Sequence, residues 1–227
     1  MNASLRPLVA EFLGTALFVF IGAGAVVTHA MIGGGGGVGS LDIALAHGVG
    51  MAILISALMS VSGAHFNPAV SFGLLVAGKI DGWTFGRYVA AQLVGAVAGA
   101  ALVKVMFTAS AVNAVSAGVP QLSVNVGFGQ GIALEAVFTF FLVSAVFGTA
   151  VSTEAPKIGG FGIGLAIFVS GLVIGDLTGS AINPARAFGP ALVTWTWHSQ
   201  AVYWIGPVVG GGVAGWVWKV LLLPKNG

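Results

Sequence analysis

The chain has 227 residues, of which 57% are hydrophobic and only 6% are charged. Soluble domains carry about 25% charged residues, so a chain this poor in charge cannot cover a surface that faces water on all sides. The formal net charge of +2, spread over single residues, gives no basic surface for nucleic acid, and the lack of cysteine excludes disulfides and thiolate metal sites.

Six apolar segments are long enough to cross a membrane, because a spanning helix needs about 20 mostly apolar residues. They cover residues 7–30, 41–61, 84–106, 130–151, 160–177 and 200–222. The first segment imitates a secretory signal, but its apolar run is too long for one and contains Glu11, so we interpret it as a membrane helix. The run from Gly33 to Gly37 predicts a flexible loop after it.

Two further apolar segments, residues 67–77 and 183–193, are too short to span, and each opens with Asn-Pro. A helix of 11 residues is about 16 Å long, roughly half the thickness of the hydrocarbon core. Proline is favourable in the first turn of a helix, where its missing N–H would have no partner anyway. We therefore expect two half-helices that enter the membrane from opposite sides.

The distribution of lysine and arginine predicts the orientation in the membrane. With the N-terminus in the cytoplasm, only Lys104 lies near the outer side, and Arg186 is set apart because it lies at membrane depth. The cytoplasmic cations are then Arg6, Lys79, Arg87, Lys157, Lys219 and Lys225. We expect both termini in the cytoplasm, and the short termini without regulatory tails favour a bacterial inner membrane.

The chain also repeats itself. Glu11 in the first segment matches Glu135 in the fourth, and residues 62–69 match residues 178–185 in motif and spacing. Each copy holds three spanning helices, so the second copy starts on the opposite side of the membrane. We expect a single channel domain built from two inverted repeats, with bounds 1–227 for the domain and 1–112 and 125–227 for the repeats.

Helices that stop at membrane depth are tolerated where they are buried in protein or line a water-filled cavity. Both half-helices would aim an N-terminus, with unpaired N–H groups and about half a positive charge, at the midplane. Asn67 and Asn183 would lie there as donors to a passing water, and the two positive ends would repel a cation by roughly 4 kcal/mol at an effective dielectric constant near 20. The alternative is that each Asn merely caps its helix. Two copies in inverted repeats favour a pore for uncharged molecules.

Three charged residues at membrane depth need an explanation. Arg186 directly follows the second motif, and an arginine there costs at least about 2.5 kcal/mol unless it faces a cavity or a partner. We predict that it lines the pore as a donor and cation barrier, on the outer side only, because the first repeat has Val70 at this position. Glu11 and Glu135 are expected to accept hydrogen bonds from the re-entrant loop of their own repeat, with proton carriers as the alternative.

His65 and Asp176 flank the re-entrant loops, and we expect both to form local hydrogen bonds rather than to bind a ligand. The histidines lack metal-ligand spacing, and neither a Ser-His-Asp arrangement nor a phosphate-binding loop stands out. We expect no metal, no cofactor and no enzymatic activity. Glycine pairs four residues apart, such as Gly95 and Gly99, predict closely packed helices.

Residues Ser62 to Val70 and Thr178 to Pro190 resemble the motifs of the major intrinsic proteins, the family of aquaporins and glycerol facilitators. The likeness extends over nearly the whole chain, and residues 194–197 and 203–207 resemble the plant tonoplast branch in particular. It implies an all-α membrane protein with six transmembrane helices and two re-entrant half-helices, assembled as a homotetramer with one pore in each subunit. The pore motifs it implies are Asn67, Pro68, Ala69, Asn183, Pro184 and Ala185.

The same resemblance implies a selectivity filter and a ladder of backbone carbonyls. The filter residues are His47, Gly171, Ser180 and Arg186. The carbonyls are those of Gly63, Ala64, His65, Gly179, Ser180 and Ala181. The strict water pattern has Phe and His in place of His47 and Gly171. Gly171 is similar to the glycerol facilitators, but those follow their arginine with Asp, where this chain has Ala187.

The leading hypothesis is a passive water channel that excludes protons and ions, with passage of ammonia, urea, hydrogen peroxide or glycerol left open. Its partners would be water, small neutral solutes and the lipid bilayer. A glycerol or polyol facilitator is the first alternative. An ion-coupled secondary transporter, with Glu11 and Glu135 as coupling groups, and a non-conducting membrane packing protein are the others.

Overall fold

The computed structural model describes residues 5–33, 41–156 and 158–224, and every regular element in these ranges is helical. In chain order the helices are α1 (Arg6–Met31), α2 (Leu41–Ser62), α3 (Pro68–Val76), α4 (Gly82–Met106), α5 (Ala109–Ala114), α6 (Phe128–Val146), α7 (Gly159–Thr178), α8 (Pro184–Thr194) and α9 (Val202–Val217). Helices α6 and α9 each continue as one π-helical turn, Phe147–Val151 and Trp218–Leu222. Counting these turns, α1, α2, α4, α6, α7 and α9 are long and apolar enough to cross a membrane.

The six spanning helices match the six predicted segments, and α3 and α8 are the two predicted half-helices. The segment between α4 and α6, which lies outside the predicted spans, contains the short helix α5 and a 3₁₀ turn at Ser116–Gly118. Residues 34–37 of the glycine loop, together with Lys157 and Lys225 from the orientation argument, lie outside the described residues.

The helix contacts follow a two-fold pattern. Helix α1 packs on α4 as α6 packs on α9, and α2 packs on α7 across the middle of the molecule. The half-helix α3 packs on α9 and the half-helix α8 packs on α4, so each half-helix lies against the last span of the other half. These matched contacts support our proposal of two inverted repeats over residues 1–112 and 125–227.

Small residues allow the spans to approach closely. A methyl group added at any of four glycines would lie less than 3.0 Å from a backbone carbonyl oxygen of the neighbouring helix. The glycines are Gly95 and Gly99, which face α1, and Gly206 and Gly210, which face α6. The packing predicted from the four-residue spacing is therefore present.

Polarity is distributed as expected for a protein in lipid. Large apolar side chains point outward, including Ile53, Val105 and Phe161, which are 63%, 79% and 62% exposed. Several charged and polar side chains of the spans instead lie in the interior, where Glu11 and Glu135 are completely buried. A buried charge needs partners, so the interior polar groups mark the candidate functional site.

Candidate pore

Each half-helix is preceded by a re-entrant loop with an unusual backbone. In the first loop φ is positive at Gly63 (86°), Ala64 (51°) and Phe66 (50°). The second loop has the same pattern, with positive φ at Gly179, Ser180 and Ile182. Non-glycine residues rarely adopt this left-handed conformation, so the surrounding structure must hold it in place.

A buried glutamate holds each loop. Glu11 in α1 accepts the hydroxyl of Ser62 on Oε1 at 2.6 Å, and the backbone N–H groups of His65 and Phe66 at 3.0 and 2.8 Å. Glu135 in α6 makes the corresponding three bonds, at 2.7, 3.0 and 2.6 Å. Their donors are Thr178, Ala181 and Ile182. The side chains thus stabilise a backbone that would otherwise be strained.

Two tyrosines also support these loops, and the sequence analysis missed them. The hydroxyl of Tyr88 donates to the carbonyl oxygen of Ser62, and that of Tyr203 donates to the carbonyl oxygen of Thr178, both at 2.8 Å. The partners are 26 and 25 residues apart. Extending the alignment of the two repeats through α4 and α9 would have revealed this matched spacing.

The two Asn-Pro-Ala motifs meet at the tips of the half-helices. Asn67 and Asn183 cap α3 and α8, since their Oδ1 atoms accept the N–H of Ala69 and Ala185 at 2.8 and 3.0 Å. Their Nδ2 atoms cross over: that of Asn67 donates to the oxygen of Ile182 at 2.8 Å, and that of Asn183 to the oxygen of Phe66 at 2.9 Å.

The crossed bonds leave donors for a guest molecule. An amide nitrogen carries two hydrogens, and the crossed bond uses one, so each Asn retains a second donor. Both Asn67 and Asn183 line a cavity of about 290 Å³. The remaining motif residues, Pro68, Ala69, Pro184 and Ala185, lie buried in the first turns of the half-helices.

Six backbone carbonyl oxygens, three in a row in each re-entrant loop, have no hydrogen-bond donor among the described residues. They belong to Gly63, Ala64, His65, Gly179, Ser180 and Ala181. All six residues line one of the two central cavities. Buried carbonyl oxygens are normally hydrogen-bonded, so these are sites for mobile water or another donor.

Two central cavities share part of their lining. The inner cavity, named for the orientation predicted above, has about 290 Å³ and extends from the two Asn residues towards Lys79. The outer cavity has about 310 Å³ and includes Gly171 and Arg186 in its lining. His47, Ile167 and Ser180 line both cavities and therefore mark their junction. The four residues expected for the filter are thus brought together at this junction and just outside it.

Arg186 is held rigidly beside His47. Its Nη1 donates to the carbonyl oxygen of Gly118 at 2.7 Å, its Nη2 lies 3.4 Å from Nε2 of His47, and the residue is only 3% exposed. Nδ1 of His47 bonds the carbonyl oxygen of Ile43 at 2.8 Å. A carbonyl only accepts, so Nδ1 carries the proton and Nε2 is an acceptor. Because Gly118 acts through its backbone, its side-chain type gave no signal of this role.

Gly171 has a packing reason as well as a place in the outer cavity. A Cβ atom added there would lie 2.8 Å from the Cβ of Ala44 on α2. Glycine at this position therefore leaves the outer cavity wider and also permits the close approach of α7 to α2.

Of the two residues expected to form local hydrogen bonds, only one does so. His65 bonds the hydroxyl of Ser71 through Nδ1 at 2.9 Å and also lines the inner cavity. The expectation for Asp176 is wrong: the residue is exposed, lines the outer cavity and has no hydrogen-bond partner among the described residues. It lies at the mouth, where water can solvate a carboxylate. No three His, Asp or Glu side chains in the described ranges are grouped to hold a metal ion.

Six spans, two facing half-helices and two central cavities with a shared part of their lining define a multi-pass integral membrane channel. Residues 1–218 match the family model described as Major intrinsic protein. The chain is 39% identical to Aquaporin TIP4-4 of Zea mays, covering 98% of this chain and 89% of that protein. It is 38% identical to Aquaporin TIP2-1 of Arabidopsis thaliana, covering 95% and 87%.

A solved structure, that of the aquaglyceroporin from Plasmodium falciparum, superposes with a TM-score of 0.81 at 24% identity and covers 96% of both chains, which shows a common fold. The chain belongs to the major intrinsic protein family, as its motifs indicated. The members of this family are channels, and the chain is not an enzyme.

Proposed function

We propose that the chain is a passive water channel whose pore runs through the two cavities. The observation that carries this is the meeting of the half-helix tips, where Asn67 and Asn183 each keep an amide hydrogen beside loop carbonyls that have no donor among the described residues. A water molecule needs both: it gives its oxygen to the amides and its hydrogens to the carbonyls. Its family and its aquaporin relatives agree with this function.

The same geometry opposes protons and other cations. Two helix N-termini, each with about half a positive charge, face one point, and Arg186 adds a full charge at the outer constriction. The helix ends alone repel a cation by roughly 4 kcal/mol, about three decades in rate. Water held by both amides points its hydrogens away along the pore, which interrupts a hydrogen-bonded chain for protons.

The filter formed by His47, Gly171, Ser180 and Arg186 supports passage of small neutral solutes beside water. Gly171 contributes no side chain to the wall of the outer cavity, and the Nη atoms of Arg186 keep N–H donors beyond those directed at Gly118 and His47. Ammonia, urea and hydrogen peroxide are small enough and polar enough to use them. Gly171 is also similar to the glycerol facilitators, but Ala187 departs from their pattern, so a polyol facilitator is the weaker alternative.

An ion-coupled transporter finds no support in the geometry. Glu11 and Glu135 would be its coupling groups, but both are completely buried, engaged by loop donors and absent from the lining of either cavity. We assign them the task of supporting the loops.

Orientation and assembly are further parts of the proposal. Lysine and arginine near the ends of the spans favour cytoplasmic termini. Family membership supports a homotetramer, which cross-linking in native membranes would test. The relatives named above are plant proteins, so a bacterial inner membrane remains a prediction for membrane fractionation of the source organism.

Stopped-flow light scattering on proteoliposomes tests the function directly. We expect osmotic shrinkage much faster than that of empty liposomes, with a low activation energy, and slower but measurable uptake of urea and ammonia. Water permeability equal to that of empty liposomes would refute the water channel. Glycerol uptake faster than water flow would favour the facilitator instead.

A further inference from the structure

A buried chain of hydrogen bonds connects Glu11 to the pore-facing ring of His65. It begins at the carboxyl group, where donors from Ser62, His65, Phe66 and Gln92 converge on the two oxygens. The backbone N–H groups of His65 and Phe66 can only donate, one to each carboxyl oxygen, so both oxygens of Glu11 act as acceptors.

The carboxylate determines how the Gln92 amide is oriented. Nε2 of Gln92 lies 2.8 Å from Oε2 of Glu11 and 3.1 Å from Oγ of Ser71. Flipping the amide would place its oxygen against a carboxylate oxygen, which is repulsive. Nitrogen therefore faces both groups, and the hydroxyl of Ser71 is an acceptor for Gln92.

The hydroxyl of Ser71 then determines the tautomer of His65. It has one hydrogen to donate, and its remaining partner in the described part of the chain is Nδ1 of His65, at 2.9 Å. Donating this hydrogen makes Nδ1 an acceptor, so the ring proton resides on Nε2. Nε2 has no protein partner among the described residues, and the ring lines the inner cavity.

We propose that Ser71 and Gln92 are positioning residues that hold His65 as the neutral Nε2–H tautomer, a fixed donor for water in the inner half of the pore. His47 has the opposite tautomer, because its Nδ1 donates to Ile43, and its acceptor Nε2 faces Nη2 of Arg186 at 3.4 Å. Only the inner half contains this network, since Ala181 and Ala187 occupy the matched positions of the second repeat.

The network also makes the inner half insensitive to pH. Protonating Nδ1 of His65 would turn it into a donor and leave the buried hydroxyl of Ser71 without an acceptor, which disfavours the imidazolium about tenfold or more. The other titratable groups that face this ring are Glu11 from α1, Tyr88 from α4 at a ring distance of 5.0 Å, and His47 and Lys79 in the cavity lining. Helices α6 and α7 contribute only apolar side chains to that lining.

Solid-state NMR of the full chain with ¹⁵N-labelled histidine, in liposomes at about pH 8 and about pH 5.5, tests the tautomers. We expect His65 protonated on Nε2 and His47 protonated on Nδ1 at both values, with His65→Gln used to assign the signals. In Ser71→Ala, His65 should become a mixture of tautomers with a protonated fraction at the lower pH, while Ser71→Thr should restore the wild-type signal. A proton on Nδ1 in the wild type, or an unchanged His65 signal in Ser71→Ala, would overturn the proposal.

Water permeability at the same two pH values gives a second readout, which rests on the proposed function. The wild type and Ser71→Thr should give flat profiles, and Ser71→Ala should lose permeability at least about twofold at the lower pH, because an ordinary histidine is mostly protonated there. The matched control is Ser170→Ala, which removes a buried hydroxyl whose one partner in the described part of the chain is the backbone of Ala166.

The two measurements separate the possible failures. If the water permeability of Ser170→Ala and Ser71→Ala depended equally on pH, the effect would come from looser packing of the protein in general, and the proposal would be overturned. A wild type without water permeability would refute the proposed function, and the NMR signals would still decide the tautomers.

Discussion

Asn67 and Asn183 each divide their side chain between two tasks. The oxygen caps a half-helix, and the nitrogen bonds the opposite loop while retaining a hydrogen for water. The capping interpretation and the pore interpretation of these residues are therefore not alternatives. Removing either side chain would release the tip of one half-helix and one pore donor together.

Glu135 should be more important for stability than an exposed glutamate. In Glu135→Gln the single amide oxygen cannot replace two carboxylate oxygens, so one of the three donors from Thr178, Ala181 and Ile182 loses its acceptor. We expect the free energy of unfolding to fall by about 1–3 kcal/mol. Thermal unfolding in detergent measures it, with Glu154→Gln at an exposed site as the control. Equal melting temperatures for both variants would contradict the supporting role.

Gly171 should control the passage of solutes larger than water. Gly171→His places a side chain in the outer cavity, so we expect urea permeability to fall more than water permeability. Because a Cβ there meets Ala44, the variant is best compared with Gly171→His in an Ala44→Gly background, which removes the nearer contact, that with the Cβ of Ala44. Urea uptake and osmotic shrinkage of proteoliposomes measure the urea permeability and the water permeability. A proportional loss of both would show that packing, and not selectivity, explains this glycine.

The residues with a repeated motif could be predicted from sequence, and the residues that join distant segments could not. Glu11, Asn67 and their partners in the second repeat stand in matching patterns. By contrast, Gly118 meets Arg186 across 68 residues through a backbone carbonyl, and Gln92 meets Glu11 across 81 residues. The one sign of a role for Gln92 in the sequence is that it is a polar residue in the middle of an apolar span.

At the scale of elements, each half-helix has a charge at the end away from the pore. Nζ of Lys219 lies 3.4 Å from the carbonyl oxygen of Val76 at the end of α3, and Nζ of Lys104 lies 3.5 Å from that of Val193 near the end of α8. A cation is favourable at a helix C-terminus. Since these lysines come from the last span of each repeat, they connect each half-helix to the span against which it packs.

The start of α4 depends on a capping carboxylate. Oδ1 of Asp81 accepts the N–H of Thr84 at 2.7 Å, and this hydrogen bond lowers the pKa of Asp81 below its ordinary value of 3.8. A lowered pKa in the folded state means that the stabilisation is present above about pH 3.8 and is lost as the pH falls through the folded-state value.

Replacing Asp81 should therefore lower the melting temperature only where the carboxylate is ionised. We expect Asp81→Ala to melt below the wild type at neutral pH, with the difference shrinking in acid below pH 3.8, and Asp81→Asn to retain part of the cap. Circular dichroism of the detergent-solubilised protein measures this. A melting-temperature difference that does not change with pH would contradict this, because the effect would then not come from the ionised carboxylate.

The elements were predictable because long apolar segments and Asn-Pro starts follow simple physical rules. Spans begin and end within a few residues of the predicted bounds. Helix α5 and the turn at Ser116–Gly118 were not foreseen, because a short helix in a loop has neither the length nor the periodicity that signals one. That turn includes the carbonyl that holds Arg186, so the missed element bears on the site.

The whole molecule places apolar surface outside and polar groups inside. Its interior carries amide donors, and carbonyls without a donor in the described ranges, along two cavities that share His47, Ile167 and Ser180 in their linings. Charges at the tips of both half-helices and at Arg186 make this passage suitable for neutral molecules only. Water conduction without proton conduction is thus a property of the complete arrangement and of no single residue.

Water flux and proton flux measured in the same proteoliposomes test this claim most directly. A trapped pH-sensitive dye reports protons while light scattering reports water. We expect fast water flow with proton flux equal to that of empty liposomes, and a rise in proton flux in Arg186→Val, which copies Val70 of the first repeat. Proton flux that increases together with water flux in the wild type would contradict the account.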